Sequence, residues 1–293
     1  MTAPIIRTKL GEVMKTLITI MFGLMIFGQS QANDRFADTV LKAVNVSDNV
    51  YIIYGAGGNI GALVGEEGIL IIDDQFEPLA PKIEQAVFEL ANTKQKVSYV
   101  VNTHYHGDHT GSNVYFSKSA SILAHENVRK RLSVKSKEGL PVITYQQGVK
   151  LHLNEQTVHV RHLSSGHTDG DSVVFFQQAN VWHLGDLFFN MRFPYVDKKS
   201  GGTVEGLVKN LKQLLKEISD DAAIIPGHGE LTDKRGLQTH LDMILATKSE
   251  VDELKAQGLS LEQAIEKGLS DKWKEWHWNF ITEERWITTL YEP

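Results

Sequence analysis

The chain has 293 residues, 42% of them hydrophobic, with no cysteine and a formal net charge of −6. That length allows one large α/β domain or two small ones with ample core. The missing thiols exclude disulfides, thiolate metal ligands and a cysteine nucleophile together. An acidic chain is a poor general binder of nucleic acid or anionic membrane, so a small-molecule substrate is the expected partner, with a homo-oligomer left open.

Lys15 precedes a largely apolar run, Leu17 to Phe27, and Ser30-Gln31-Ala32 places small residues at both key positions of a cleavage site. Residues 1–32 therefore read as a secretory signal peptide, with Met14 as an alternative start; the run is short for a membrane span. The expected compartment is the periplasm or the outside of the cell, without stable membrane association after cleavage. An uncleaved anchor is the competing reading. Setting aside Arg7, Lys9, Lys15 and Glu12 leaves a mature chain of net charge −8.

From residue 33 no repeat, low-complexity tract or Pro-rich linker appears, which predicts a single domain over 33–293. Residues 49–54, 60–64 and 68–73 read as three successive strands. Gly55-Ala56-Gly57-Gly58-Asn59 lies between the first two, followed by a strand rather than a helix, so it is a hairpin turn and not a dinucleotide loop. Its flexibility would also suit a flap. Pro78 to Thr93 has helical periodicity, with Leu79, Ile83, Val87 and Leu90 on one face. A strand ends at Asn102, a short one covers 121–124, and Glu126 to Leu132 reads as a small helix whose Arg129-Lys130-Arg131 faces solvent. Two or three strands fill 149–163, then 172–176 and 180–184. Thr203 to Ile218 is a strongly amphipathic helix, and 222–225 a buried strand. From about 231 the chain reads as helical and Trp-rich, with Trp273, Trp276, Trp278 and Trp286 packing on the body or on a partner subunit. Strands mixed with helices after an opening meander predict an α/β (α+β) fold of two sheets with helices outside.

The chemistry concentrates in Thr103-His104-Tyr105-His106-Gly107-Asp108-His109-Thr110-Gly111, directly after the apolar run Tyr99-Val100-Val101. His104 and His106, two apart at a strand end, point to the same side. Asp108 and His109 occupy the turn that follows and can face a second point nearby. Imidazoles and a carboxylate without sulfur suit Zn²⁺, with Fe or Mn as alternatives. His167 in Gly-His-Thr, Asp186 after Gly185, and His228 in Pro-Gly-His-Gly recur in the same context, a strand end beside a glycine. Strand ends at one sheet rim converge on a common crevice. His183 is a candidate to support the ligands from behind, though a structural role is preferred for it as for the other outlying histidines. Phe188, Arg192 and Tyr195, following Asp186, are candidate pocket residues, with Arg192 suited to a substrate carboxylate.

This succession resembles the metallo-β-lactamase superfamily over roughly residues 48–230, at all seven ligand positions. The resemblance implies a four-layer αββα sandwich, with two mixed sheets and a dinuclear zinc centre. It places His104, His106 and His167 on one metal, Asp108, His109 and His228 on the other, and Asp186 between them, as in glyoxalase II and the lactonases. Asp73 resembles the acid that orients a ligand histidine. The implied activity is metal-dependent hydrolysis of an acyl bond (lactone, thioester, ester or β-lactam) by a hydroxide shared between two ions, with Asp108 as catalytic proton carrier. Asp186 stands where some β-lactamases carry cysteine, while the signal peptide favours a periplasmic metallo-β-lactamase. A mononuclear-iron persulfide dioxygenase is the competitor from another class.

Overall fold

In a computed structural model of the protein, residues 34–91 and 95–292 are described. The expected signal peptide and the alternative start at Met14 lie outside them. Residues up to Asp38 form a separate unit whose described part holds a single 3-10 turn, Asp34–Phe36. The unit from Thr39 onward holds both sheets and the site.

Two mixed sheets organise this unit. The first runs in the order β1 (Lys42–Ser47), β2 (Val50–Tyr54), β3 (Ile60–Gly65), β4 (Gly68–Ile72), β5 (Val97–Val101), β6 (Ser121–His125) and β7 (Ile143–Tyr145). Its first four strands pair antiparallel and the rest parallel. The second holds β8 (Gly148–Leu153), β9 (Gln156–His162), β10 (Ser172–Phe176), β11 (Val181–His183) and β12 (Ala223–Ile225), antiparallel except for the β11–β12 pair.

The alternation of the strands dictates how the sheets stack. Val50, Ile52, Leu63, Leu70, Ile72, Val101 and Leu123 of the first sheet meet Val158, Val160, Val174, Phe176, Val181 and Ile225 of the second in one buried core. Residues of opposite parity point outward and need helices over them. On the first sheet α1 (Ala80–Ala91) supplies Ile83 and Val87 and packs against β3. On the second, α5 (Val204–Glu217) buries Val204, Leu207, Leu211 and Leu214, a 3–4 spacing that makes one apolar stripe. Thr203 caps this helix by accepting from Gly206 N. Deleting one such leucine to alanine would cost about 2–5 kcal/mol. The architecture is the expected helix–sheet–sheet–helix sandwich.

The chain between β5 and β6 adds two short helices, α2 (Gly107–Thr110) and α3 (Asn113–Phe116), and α4 (Glu126–Lys135) follows β6. The C-terminal segment folds as α6 (Lys234–Ala256), α7 (Leu261–Lys267), a 3-10 turn at Asp271–Trp276 and α8 (Glu283–Tyr291). Trp276 and Trp286 are buried in the core over the second sheet. Strands β1 and β7 were not expected from the sequence. The first is an exposed edge strand and the second only three residues long, so neither carries a strong alternating signal.

Candidate metal centre

The site is built where strands of both sheets end on the same rim. At the end of β4, Asp73 takes a left-handed backbone (φ 63°) and turns its carboxylate toward β5. There its Oδ1 accepts from Thr103 N (2.7 Å), and its Oδ2 accepts from Thr103 Oγ1 (2.8 Å) and from the His109 ring (2.8 Å). Past β5 the chain bends through residues 103–105 and brings His104 and His106 into one group. His106 then starts the single turn of α2, whose first bonds are His109 N and Thr110 N to His106 O (3.0 and 3.1 Å). That turn swings Asp108 and His109 to a second face. From the other sheet come His167 in the β9–β10 turn, Asp186 after β11 and His228 after β12. Two backbone bonds hold the sheets together at this rim, Ser172 N to Thr103 O (2.8 Å) and Asn59 N to Gly227 O (2.7 Å).

The seven predicted residues meet in two groups, His104, His106, His167 and Asp186, and Asp108, His109 and His228; the ligand atoms of each group lie within 4.8 Å of one another. Asp186 faces both. Its Oδ2 is 3.4 Å from His167 Nε2 and 3.7 Å from His104 Nε2, while its Oδ1 is 3.2 Å from His109 Nε2 and 3.5 Å from His228 Nε2. Asp108 Oδ2 completes the second group, 3.3 Å from His228 Nε2 and 3.6 Å from His109 Nε2.

The far ring nitrogens decide what the near ones present. His167 Nδ1 lies 2.6 Å from Tyr195 O, which can only accept, so Nδ1 carries the proton and Nε2 shows a lone pair. His106 Nε2 donates to Asp197 Oδ2 (3.1 Å), leaving a lone pair on Nδ1. Those two lone pairs face each other at 2.8 Å. His109 Nδ1 donates to Asp73. Thr103 Oγ1 spends its single proton on Asp73 and accepts from His104 Nδ1 (3.0 Å), so His104 Nε2 is also bare. Buried and without a hydrogen-bond partner stand His104 Nε2 and Asp186 Oδ1. Lone pairs crowded this way, out of water, are costly unless a cation accepts them. The donor set fits a divalent metal.

The charge distribution follows the geometry. Burial lowers His104 well below the ordinary histidine range and brings His167 down to about 4, keeping both neutral. Burial also opposes charge on His109, but the carboxylates of Asp186, Asp108 and Asp73 outweigh it and raise its proton affinity. The same field attracts a cation. Against its own burial, Asp186 is held well below the usual carboxylate range chiefly by His109 and His228. Asp108, also opposed by burial, is held at about 2 by His109 and His228.

Two glycines are set by close approach. A Cβ on Gly58 would stand 2.1 Å from the His109 ring, and one on Gly227 2.1 Å from Asp186 Oδ1. The 55–59 turn is pinned to the centre. Gly58 N donates to Asp108 O (3.0 Å), Gln75 Nε2 donates to Gly58 O (2.8 Å), and Asn59 Nδ2 donates to Pro226 O (2.9 Å) and Gly229 O (2.8 Å). These ties make it a structural turn more than a flap.

Other predicted residues fall differently. His183 does not touch a ligand side chain; it donates to Asn59 O (3.0 Å) and accepts from Gly185 N (3.2 Å), bracing the turns on either side of the site. Phe188 requires a correction. It is fully buried with its ring 5.3 Å from His240, on the core side. Neighbouring side chains of an extended segment point opposite ways, so Phe189 faces the centre instead, stacked on His228 at 5.2 Å. Tyr195 lies 5.6 Å from both His106 and His167. Arg192 is half-buried over the Trp278 ring (5.2 Å). The cluster at 129–131 faces solvent at Arg129 and Lys130 as expected, while the half-buried Arg131 pairs bidentately with Asp169 (2.8 and 2.7 Å) in the turn after His167.

Two acids were missed. Asp197 holds His106 and accepts from Tyr105 Oη (2.6 Å). Asp171 closes the His167 turn by accepting from His167 N (2.7 Å), Thr168 N and Thr168 Oγ1. Neither lies in a motif; the only signal for Asp171 was its place four residues after His167.

The model of the metallo-beta-lactamase superfamily matches residues 53–228. A type 2 metallo-beta-lactamase of Bacillus cereus is 25% identical over 182 residues, 61% of this chain and 69% of that one. Among solved structures, a metallo-beta-lactamase from Pontibacter korlensis superposes with a TM-score of 0.62 at 18% identity, covering 70% of this chain and 99% of its own. A sec-alkyl sulfatase does so with a TM-score of 0.66 at 14% identity, over 86% of this chain and 50% of its own. The fold, the convergent ligand set and the match over more than half of the sequence lead to one conclusion: the chain belongs to the metallo-beta-lactamase superfamily, as a metal-dependent hydrolase.

Proposed function

We propose that this protein is a dinuclear zinc hydrolase that opens an acyl bond of a small molecule, a lactone, thioester, ester or β-lactam, in the periplasm. The observation that carries this reading is Asp186, whose two oxygens face two separate ligand groups. A pair of divalent ions held there would supply Lewis acidity toward the substrate carbonyl and an activated water.

The chain's own residues do the rest. Asp73, Asp197, Thr103 and the Tyr195 carbonyl hold four histidine rings in the tautomers that leave donor nitrogens inward. Burial of His104, His109 and His167 keeps bulk water from the donor atoms and strengthens every charge interaction in the site. Asp108 is the most accessible of the seven, with 28% of its side chain exposed against 5% for Asp186. It thus spans the centre and solvent, placed to take a proton from the attacking water and pass it to the leaving atom.

Two measurements test this. Protein purified from its native compartment should carry two zinc ions per chain, and Asp186→Ala should lower occupancy at both positions while the chain stays folded. One iron per chain with oxygen uptake on a persulfide would overturn the hydrolase reading. A panel of nitrocefin, acyl lactones and acyl thioesters then sorts the substrate, and turnover of nitrocefin above the others would identify a β-lactamase.

A further inference from the structure

The family match ends at His228, yet aromatic side chains from some fifty residues further on return to the metal centre. Trp278 lies 5.5 Å from the His228 ring and 6.0 Å from Phe189. Its Nε1 donates to Phe193 O (2.9 Å) and its backbone N to Ile281 O (3.1 Å). The guanidinium of Arg192 covers the ring at 5.2 Å. Phe280 stands 5.5 Å from Trp278 and edge-on to Tyr195 at 5.2 Å, and Tyr195 in turn neighbours His106 and His167. One short segment thereby walls both ends of the centre.

Phe280 is 46% exposed, the single aromatic among the large exposed apolar side chains of the described residues. It is not loose. Arg285 sits 4.4 Å over its ring and donates to its carbonyl oxygen (2.9 Å). A ring held under a cation, on a backbone tied by a hydrogen bond, but left half in water against Tyr195, which itself neighbours two ligand histidines, is preorganised apolar surface at the mouth of a site. Its natural occupant is an apolar group that removes it from water.

We propose that Trp278, Phe280 and Tyr195 form the specificity wall of this centre and select a substrate bearing an aryl or long alkyl group beside the bond that is cleaved. This rests on the hydrolase reading only in calling the ligand a substrate. The test is calorimetric binding of acetate and of 4-phenylbutyrate to the zinc-loaded full chain. Both present the same carboxylate, so the ratio of their affinities reports the wall alone. The wild-type chain should bind 4-phenylbutyrate at least about tenfold more tightly, since burying a phenyl group is worth that factor or more. Phe280→Ala should erase most of the ratio with acetate affinity and zinc content unchanged, and Phe280→Leu should keep part of it. Equal affinities in the wild type, or an equal loss of both ligands in Phe280→Ala, would overturn the proposal. No turnover enters the measurement. A chain that prefers phenylbutyrate but cleaves no acyl bond would sink the hydrolase reading and leave the wall standing.

Discussion

The metal centre and the core beneath α6 both bury histidines, and they bury them differently. His104, His109 and His167 each have one ring nitrogen fixed by a hydrogen-bonding neighbour and the other aimed at a point shared with carboxylates. His240 is just as buried, but neither of its nitrogens has a partner, and it lies against Phe188 and Trp276. Burial alone therefore does not mark a ligand. What marks it is the pairing of a held nitrogen behind with a bare one in front, repeated around a common centre.

The strongest way to break this distinction is to remove one histidine from each ligand group and one from the core. His167→Ala and His228→Ala should each reduce bound zinc from two per chain toward one and lower kcat/KM by about 10³-fold, roughly 4 kcal/mol of transition-state stabilisation. Removing His240 should change neither quantity at neutral pH. Metal analysis and steady-state rates on the three variants decide it, and loss of zinc on removing His240 would end the distinction.

A smaller effect probes the held nitrogens. Asp197→Asn keeps the shape of the side chain but makes it a weaker, two-sided partner for His106, freeing that ring to present a proton inward. Zinc affinity should fall about 10- to 100-fold, the usual range when an outer partner of a ligand histidine is lost. Competition with a chelator measures it, and unchanged affinity would mean that His106 is positioned by packing alone.

How much of this was legible in the sequence follows from how local each signal is. His104, His106, Asp108 and His109 lie within six residues, and a strand plus one turn is enough to aim them. His167, Asp186 and His228 were recognisable because each follows an apolar strand through a glycine-bearing turn. Gly227 is required there, with Asp186 Oδ1 occupying the space of its missing Cβ. Phe188 and Phe189 could not be told apart, since a run of apolar residues has no phase until the backbone fixes one. Asp197 touches His106 across 91 residues and Trp278 touches His228 across 50, contacts made only by tertiary packing. Backbone strain carries part of the missing signal. Asp73, Gln75, Ser165 and Met191 all have positive φ without being glycine, and each lies within a few residues of, or in contact with, a ligand segment. The remaining four such residues, Asp48, Asn154, Glu155 and Asn180, sit in the turns between consecutive strands.

The finest test of the comparison is thermodynamic. Burial without a partner lowers the His240 pKa from 6.5 to about 3. Its folded value thus lies below its unfolded value, so the stabilising contribution is complete above pH 6.5 and is lost as pH falls toward 3, because only the unfolded chain gains the proton readily. At pH 6 the expected loss is about 0.8 kcal/mol relative to high pH. His240→Leu fills a similar volume and has nothing to titrate. Urea unfolding of both chains at pH 8 and pH 6 should therefore show the wild type losing about 0.8 kcal/mol more than the variant. The acid sensitivity of the metal centre is common to both chains and cancels in that difference. Equal losses would mean that the His240 ring has a proton acceptor when the chain is folded, and that the core histidine resembles the ligand histidines more closely than its surroundings indicate.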